Sequence, residues 1–185
     1  MTPERDTIDL LRTLRAVRRY APRPLDPAAL DRVIEAARWT GSAKNRQPWS
    51  LVLVEDSGAL AELATCGAYA SHLAGAPAAL VLVMDPASPL AGFDAGRLSQ
   101  TIMLAAWSEG IGSCIATLFP EENQRRARAL LGIPDSLDVS TAIALGYPAD
   151  ADATRLSSAP PQVRAEVPLG RIDRDRFLHR GRWNG

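Results

Sequence analysis

The sequence predicts a three-layer α+β domain, and three observations carry that prediction. LVLV at 51–54 and AALVLVMD at 78–85 have the length and aliphatic, β-branched content of buried strands, and DVSTAIALGYP at 138–148 is a third β-rich stretch. Segments with apolar residues at helical spacing lie between them. From Ala149 onward the chain is poor in apolar side chains and contains Pro160, Pro161 and Pro168, so this tail cannot build its own core and either wanders or wraps something. At 185 residues, 46% of them hydrophobic, the chain reads as a single domain over 1–185, able to bury about 70% of its unfolded surface without disulfides or metals.

The elements follow in order. Ile8, Leu10, Leu11 and Leu14 form an apolar stripe on a helix over roughly Asp6–Arg15. RAVRRYAPRPL (15–25) is proline-interrupted and extended. Asp26 is placed to cap the next helix and Pro27 suits its first position; Leu30, Val33, Ile34 and Ala37 recur at helical spacing, and Gly41 ends it. Trp49 anchors the strand that follows, and SGALAELATCGAY (57–69) reads as a helix before the second strand. DAGRLSQTIMLAAWSE (94–109) is apolar nearly all round, which suits a central or interfacial helix, and Gly110 stops it. Within it, Asp94 and Glu109 read as ordinary helix residues. GIGSCIATLF then runs extended, PEENQRRARALLGIP (120–134) is helical and closed by Gly132 and Pro134, and IDRDRFLHRGRW near the end has room for one amphipathic turn.

Several function classes are excluded at this level. Net charge is zero, with 21 basic and 21 acidic residues, which argues against a bulk nucleic-acid binder, and 23% charge with this apolar content argues against disorder. Cys66 and Cys114 lack CxxC spacing and the chain has two histidines, so no metal cluster is predicted. No run reaches transmembrane length and MTPERDTIDL lacks a signal-type apolar segment; a soluble, cytoplasmic protein is expected.

Two polar constellations remain. Arg15, Arg18 and Arg19 lie within five residues, either as a solvated cluster or as an anion site in which each charge-assisted bond is worth roughly 1.5–3 kcal/mol. If the segment is extended throughout, Arg15 and Arg19 face one way and Arg18 the other. In GSAKNRQPW, Pro48 is expected to hold Gln47 extended, so that Asn45 and Gln47 project to one side. Two aligned amides suit the edge of a heterocycle; the competing reading is a turn whose amides satisfy its own backbone. Lys44, the single lysine, either steers a phosphate or is solvated.

Taken with their surroundings, these segments carry a resemblance. RAVRRYAPRPLD, EAARWTGSAKNRQPWSLVLVED, DAGRLSQTIMLAAWSEGIGSC, LLGIPDSL with ALGYPAD, and PLGRIDRDRFLHRGRW together resemble the nitroreductase family of FMN-dependent enzymes, in order and over nearly the whole chain from about Leu11. The resemblance implies a central mixed β-sheet flanked by helices and an intertwined homodimer with an extended C-terminal arm, here about 150–185. It implies FMN sites at the subunit interface, NADH or NADPH as transient electron donor, and a small aromatic or conjugated acceptor, with hydride passing through the flavin N5 in a ping-pong cycle. On the family pattern Arg15, Ala16, Val17 and Arg18 serve the phosphate, ribityl chain and N1/O2 edge. Ser42, Ala43, Lys44, Asn45 and Gln47 face the flavin of the other subunit, Ile115, Ala116 and Thr117 lie against the ring, and Arg171 completes the phosphate site. No catalytic acid, base or nucleophile is implied.

This chain departs from the pattern. Many members have Arg-Arg-Ser where it has Leu14-Arg15-Ala16, so one arginine and one hydroxyl are absent, and a missing charged contact weakens binding by about ten- to a hundredfold. Ile-Ala-Thr-Leu follows GIGSC where tryptophan or glycines are frequent. His72, near where some members place a ring-contacting lysine, reads as solvent-facing. Two alternatives to the broad reductase therefore stand: a dehydrogenase or dehalogenase of one defined substrate in the same fold, and a non-enzymatic dimeric module that binds flavin or lacks it.

Overall fold

The computed structural model describes residues 7–154 and 172–183. The chain divides into two units, Met1–Arg155 and Leu156–Gly185. In the first, α1 (Thr7–Thr13) and α2 (Pro27–Arg38) precede a short 3-10 turn at Ala43–Asn45 and strand β1 (Trp49–Val54). Then come α3 (Ser57–Leu63), a 3-10 turn at Ser71–Gly75, β2 (Ala78–Met84), α4 (Ala91–Ser108), β3 (Gly112–Thr117), α5 (Glu121–Leu131) and β4 (Asp138–Gly146), with a last 3-10 turn at Ala151–Thr154.

The local signals act as the sequence indicates. The Asp26 carboxylate accepts from the Ala28 N–H at 3.0 Å and Pro27 opens α2. Gly132, at φ +65°, closes α5 in the left-handed conformation that a side chain disfavours. Gly110, at φ +73°, follows the end of α4. Several boundaries differ; α4, for one, opens at Ala91 rather than Asp94. The first helix ends at Thr13, α2 ends at Arg38 with Trp39 as its cap, and α3 stops at Leu63. Asp94 lies in α4 and Glu109 at its C-cap, each in a structural ion pair. Asp94 is buried, 3.8 Å from the Arg97 guanidinium, and Glu109 accepts two hydrogen bonds from Arg32, at 2.8 and 2.7 Å, which tie α4 to α2. Those bonds hold the Glu109 carboxyl below its ordinary range.

The strands lie in the order β1-β2-β4-β3, every neighbouring pair antiparallel. A parallel bridge between Ala16 and Ser113 makes the sheet mixed. Strand alternation explains the three layers. Leu80, Leu82 and Met84 of β2, with Ile143 and Leu145 of β4, pack beneath Leu30, Val33 and Ala37 of α2 and Leu98, Ile102 and Ala106 of α4. The intervening Ala79, Val81 and Val83, with Ala142 and Ala144, pack on Leu60, Leu63 and Leu73 and on Ala127 of α5. Strand β2 is thus buried on both faces, which is why it reads as a continuous apolar run. A register shift between Leu82 and Met84, whose partners are Thr141 and Asp138, places Val139 in the second layer's core. Trp49 is half-buried against the α2/α4 layer, the anchor expected of it. Among the described residues, no helix is long and apolar enough to cross a membrane.

In the second unit a single turn, α6 (Arg174–Phe177), occupies the predicted place, and the His179 and Trp183 rings lie 4.1 Å apart between centroids. Arg171 falls outside the described residues.

Candidate active site

The segment after α1 builds one wall of a cavity. Leu14 still donates to the Leu10 carbonyl at 3.1 Å, so extended backbone begins only after Arg15. From there Val17 N–H donates to the Ser113 carbonyl at 2.9 Å and Ala21 N–H to Tyr147 at 2.8 Å, docking the segment beside β3 and the end of β4. Val17 is fully buried in a small cluster with Trp107. Gly112 permits this approach, because a Cβ there would stand 2.7 Å from the Val17 side chain.

The result is a cavity of about 310 Å³. Leu14, Arg15, Ala16 and Arg18 line it from this segment, Met103 from α4, and Ser113, Cys114 and Ile115 from β3. The strict alternation expected for the arginines is therefore corrected. Arg15 and Arg18 border the same cavity, because Arg15 leaves the chain at the helix end rather than from a strand. Its Nη1 donates to the Arg12 and Leu14 carbonyls, both at 2.8 Å, and Arg19 pairs with Asp150 at 3.0 Å. Arg18 is exposed and has no hydrogen bond or ion pair among the described residues.

The neighbouring groups are neutral. Burial pushes the Cys114 thiol up and the Arg18 charge offsets only part of this, so Cys114 is no thiolate nucleophile. Burial likewise raises the Tyr20 phenol, whose hydroxyl donates to the Val17 carbonyl. The Ser113 hydroxyl is covered and has no hydrogen-bond partner among the described residues, a state that costs about 1–3 kcal/mol.

His72, expected to face solvent, is buried behind β3 with Nε2 3.4 Å from the Cys114 carbonyl. The turn at Ser71–Gly75 packs inward through Leu73, which carries His72 in with it. Burial lowers its pKa, so the folded chain holds a neutral ring where the unfolded chain takes a proton. Stability contributed by this ring is then full above about pH 6.5 and falls as the pH drops below it. Urea unfolding between pH 5 and 7 is expected to show that slope in the native chain, and to show it reduced in His72→Gln.

The polar loop is arranged differently from its sequence expectation. Gln47 has φ +48° and is not extended, and Lys44 and Asn45 have φ +54° and +53°. The Gln47 N–H donates to Ser42 Oγ at 2.8 Å, and the Gln47 side-chain amide donates to Asn45 Oδ1 at 2.9 Å. These closures impose the left-handed backbone and override the preference that Pro48 imposes. Within one chain the turn reading holds, since the two amides bond each other. Left-handed non-glycine residues cost of order 1–3 kcal/mol each and concentrate at functional sites, asparagine bearing it best. None of Ser42, Ala43, Lys44, Asn45 or Gln47 lines the cavity of its own chain. The Arg97 guanidinium lies against the loop's base, its Nη2 2.8 Å from where a Gly41 Cβ would stand.

Of the β3 residues, Ile115 is 41% exposed at the cavity, Thr117 is exposed beyond it, and Ala116 packs its methyl into the opposite core layer. Leu14 lines the cavity at the position of the missing family arginine, and Met103, Ser113 and Cys114 line it although sequence reasoning did not single them out for it. Alternation was the available signal for one of them, because Ser113 shares a strand face with Ile115. Among the described residues, no group of His, Cys, Asp and Glu is placed to hold a metal.

Comparison with known proteins follows the same outline. The nitroreductase family profile matches residues 11–66 and 61–147. An Archaeoglobus fulgidus protein, named as a candidate NADH dehydrogenase/NAD(P)H nitroreductase, is 31% identical over 151 residues, spanning 78% of this chain and 87% of its own. A Methanothermobacter thermautotrophicus protein of the same name is 29% identical over 166 residues, 87% of each chain. The crystal structure of a similarly named protein from Parabacteroides distasonis superposes with a TM-score of 0.81 at 26% identity, covering 97% of this chain and all of the other. An α+β fold with its mixed sheet between helical layers, a cation-edged cavity and these matches agree: the chain belongs to the nitroreductase family of oxidoreductases.

Proposed function

We propose that the chain is an FMN-dependent NAD(P)H oxidoreductase that reduces nitroaromatics, quinones or related conjugated acceptors by a ping-pong mechanism. The observation that carries this reading is the cavity in which Arg15 and Arg18 stand beside the apolar Met103 and Ile115. That combination fits FMN, which presents an anionic phosphate and a flat apolar ring. When bound, FMN supplies the hydride chemistry at N5. The chain's residues orient and neutralise. Arg18, without a partner among the described residues, would hold negative charge at the phosphate or the N1/O2 edge, while Arg15 fixes the end of α1 and would add charge. Met103 and Ile115 would shield the bound ring from water.

In this reading the site is completed by a second copy of the chain. The outward face of α4 supports it: Phe93 is 65% exposed beside Gly92, Gly96, Gln100 and Leu104, along a shallow groove of about 550 Å³. A partner on that face would bring its own strained Ser42–Gln47 loop to the cavity, with Lys44 beside the nicotinamide donor.

The test is the visible absorption spectrum of the purified protein with and without added FMN, before and after anaerobic NADH or NADPH. Flavin bands that bleach on reduction are expected. A protein that remains colourless in excess FMN overturns the proposal. A panel of acceptors then separates broad reduction from a dehydrogenase or dehalogenase that turns over one compound.

A further inference from the structure

We infer that the Ser113 hydroxyl is a ligand-binding group of the cavity, contacting an oxygen of the bound flavin nucleotide in place of the hydroxyl that Ala16 lacks. The inference rests on the reading of the site given above. Ala16 and Ser113 are partners in the parallel bridge, and Val17 N–H donates to the Ser113 carbonyl at 2.9 Å, so the two residues lie side by side on neighbouring extended segments. Both line the same cavity. A hydroxyl moved from one to the other crosses the bridge and stays in the site.

The state of Ser113 points the same way. A buried serine hydroxyl ordinarily finds a partner. This one, on a residue only 1% exposed, has none among the described residues. Its neighbours are committed: the Arg15 Nη1 is bound to two carbonyls and the Cys114 thiol donates to the Ile115 carbonyl at 3.6 Å. Rotation about χ1 moves the hydroxyl between staggered positions and redirects it without moving the backbone. Once turned to the cavity it both donates and accepts, which suits a phosphate or ribityl oxygen.

The experiment measures the FMN dissociation constant by flavin fluorescence, and the thermal midpoint without FMN, for the full chain and for Ser113→Ala, Ala16→Ser and the double variant. Ser113→Ala is expected to bind FMN about three- to tenfold more weakly. Its midpoint should be unchanged or raised, since the hydroxyl makes no hydrogen bond among the described residues. The double variant should return to within about twofold of the native affinity. Ser113→Ala with native affinity, or an affinity loss matched by a lower midpoint that Ala16→Ser does not repair, would overturn the inference and leave the FMN reading intact. A native chain that takes up no FMN sinks both. Should Ser113→Ala fail to fold, Ser113→Cys keeps the shape of the side chain with a modest increase in size, weakens the hydrogen bond and carries the same comparison.

Discussion

Gly67→Ala is expected to lower stability by about 3 kcal/mol, the upper part of the range for overpacking, and the melting midpoint by roughly 6–12 °C. A Cβ on Gly67 would sit 2.2 Å from the Thr117 carbonyl oxygen and 3.2 Å from the Ala70 Cβ. The first neighbour is backbone at the end of β3, which pairs with β4 through Thr117 and Thr141, so no side chain can swing aside. Relief requires moving β3, the strand that carries Ser113 and Ile115 to the cavity, and FMN affinity should fall with stability. Gly75→Ala is the control, because nothing lies within 4 Å of its added methyl and its change should stay within about 1 kcal/mol. Urea unfolding with an unchanged m value and a shifted midpoint would identify the native-state clash. Equal stabilities for the two variants would show that β3 yields, and the rigid account of the cavity would fail.

Arg18→Ala separates binding from folding in the opposite sense. The side chain is exposed, lines the cavity and has no partner among the described residues, so its removal should leave the urea midpoint within about 0.5 kcal/mol of native. On the proposed reading it loses one charge-assisted contact, and FMN should bind about ten- to a hundredfold more weakly. The native affinity should also weaken with added salt more steeply than that of the variant. Arg15→Ala is the contrasting case, since removing bonds to the Arg12 and Leu14 carbonyls should reduce stability as well as affinity. Unchanged FMN affinity in Arg18→Ala would assign the arginine cluster to solvent.

Signals that are local in the chain were legible. Asp26 and Pro27 begin α2 because a cap and a fixed φ act on adjacent residues, and Gly132 closes α5 for the same reason. The apolar run of β2 announced a strand covered on both faces. Arg15 and Arg18 were named through the family resemblance, whereas strand alternation alone set them on opposite faces. What failed had two sources, neighbours remote in sequence and side-chain closures inside a loop. His72 is buried because the turn that holds it packs against β3, far along the chain. Gln47 leaves the extended region because Ser42 and Asn45 close the loop on it.

The sequence by itself determined the element order, the three-layer class and the family, since capping, periodicity and motif spacing are written in contiguous residues. Tertiary structure alone decided which of the polar residues share a cavity. The bridge between Ala16 and Ser113 joins positions almost a hundred residues apart, and with it an unremarkable serine in an extended stretch becomes a hydroxyl buried beside two arginines. Pairing of this kind is set by packing across the whole sheet, and neither residue type encodes its partner.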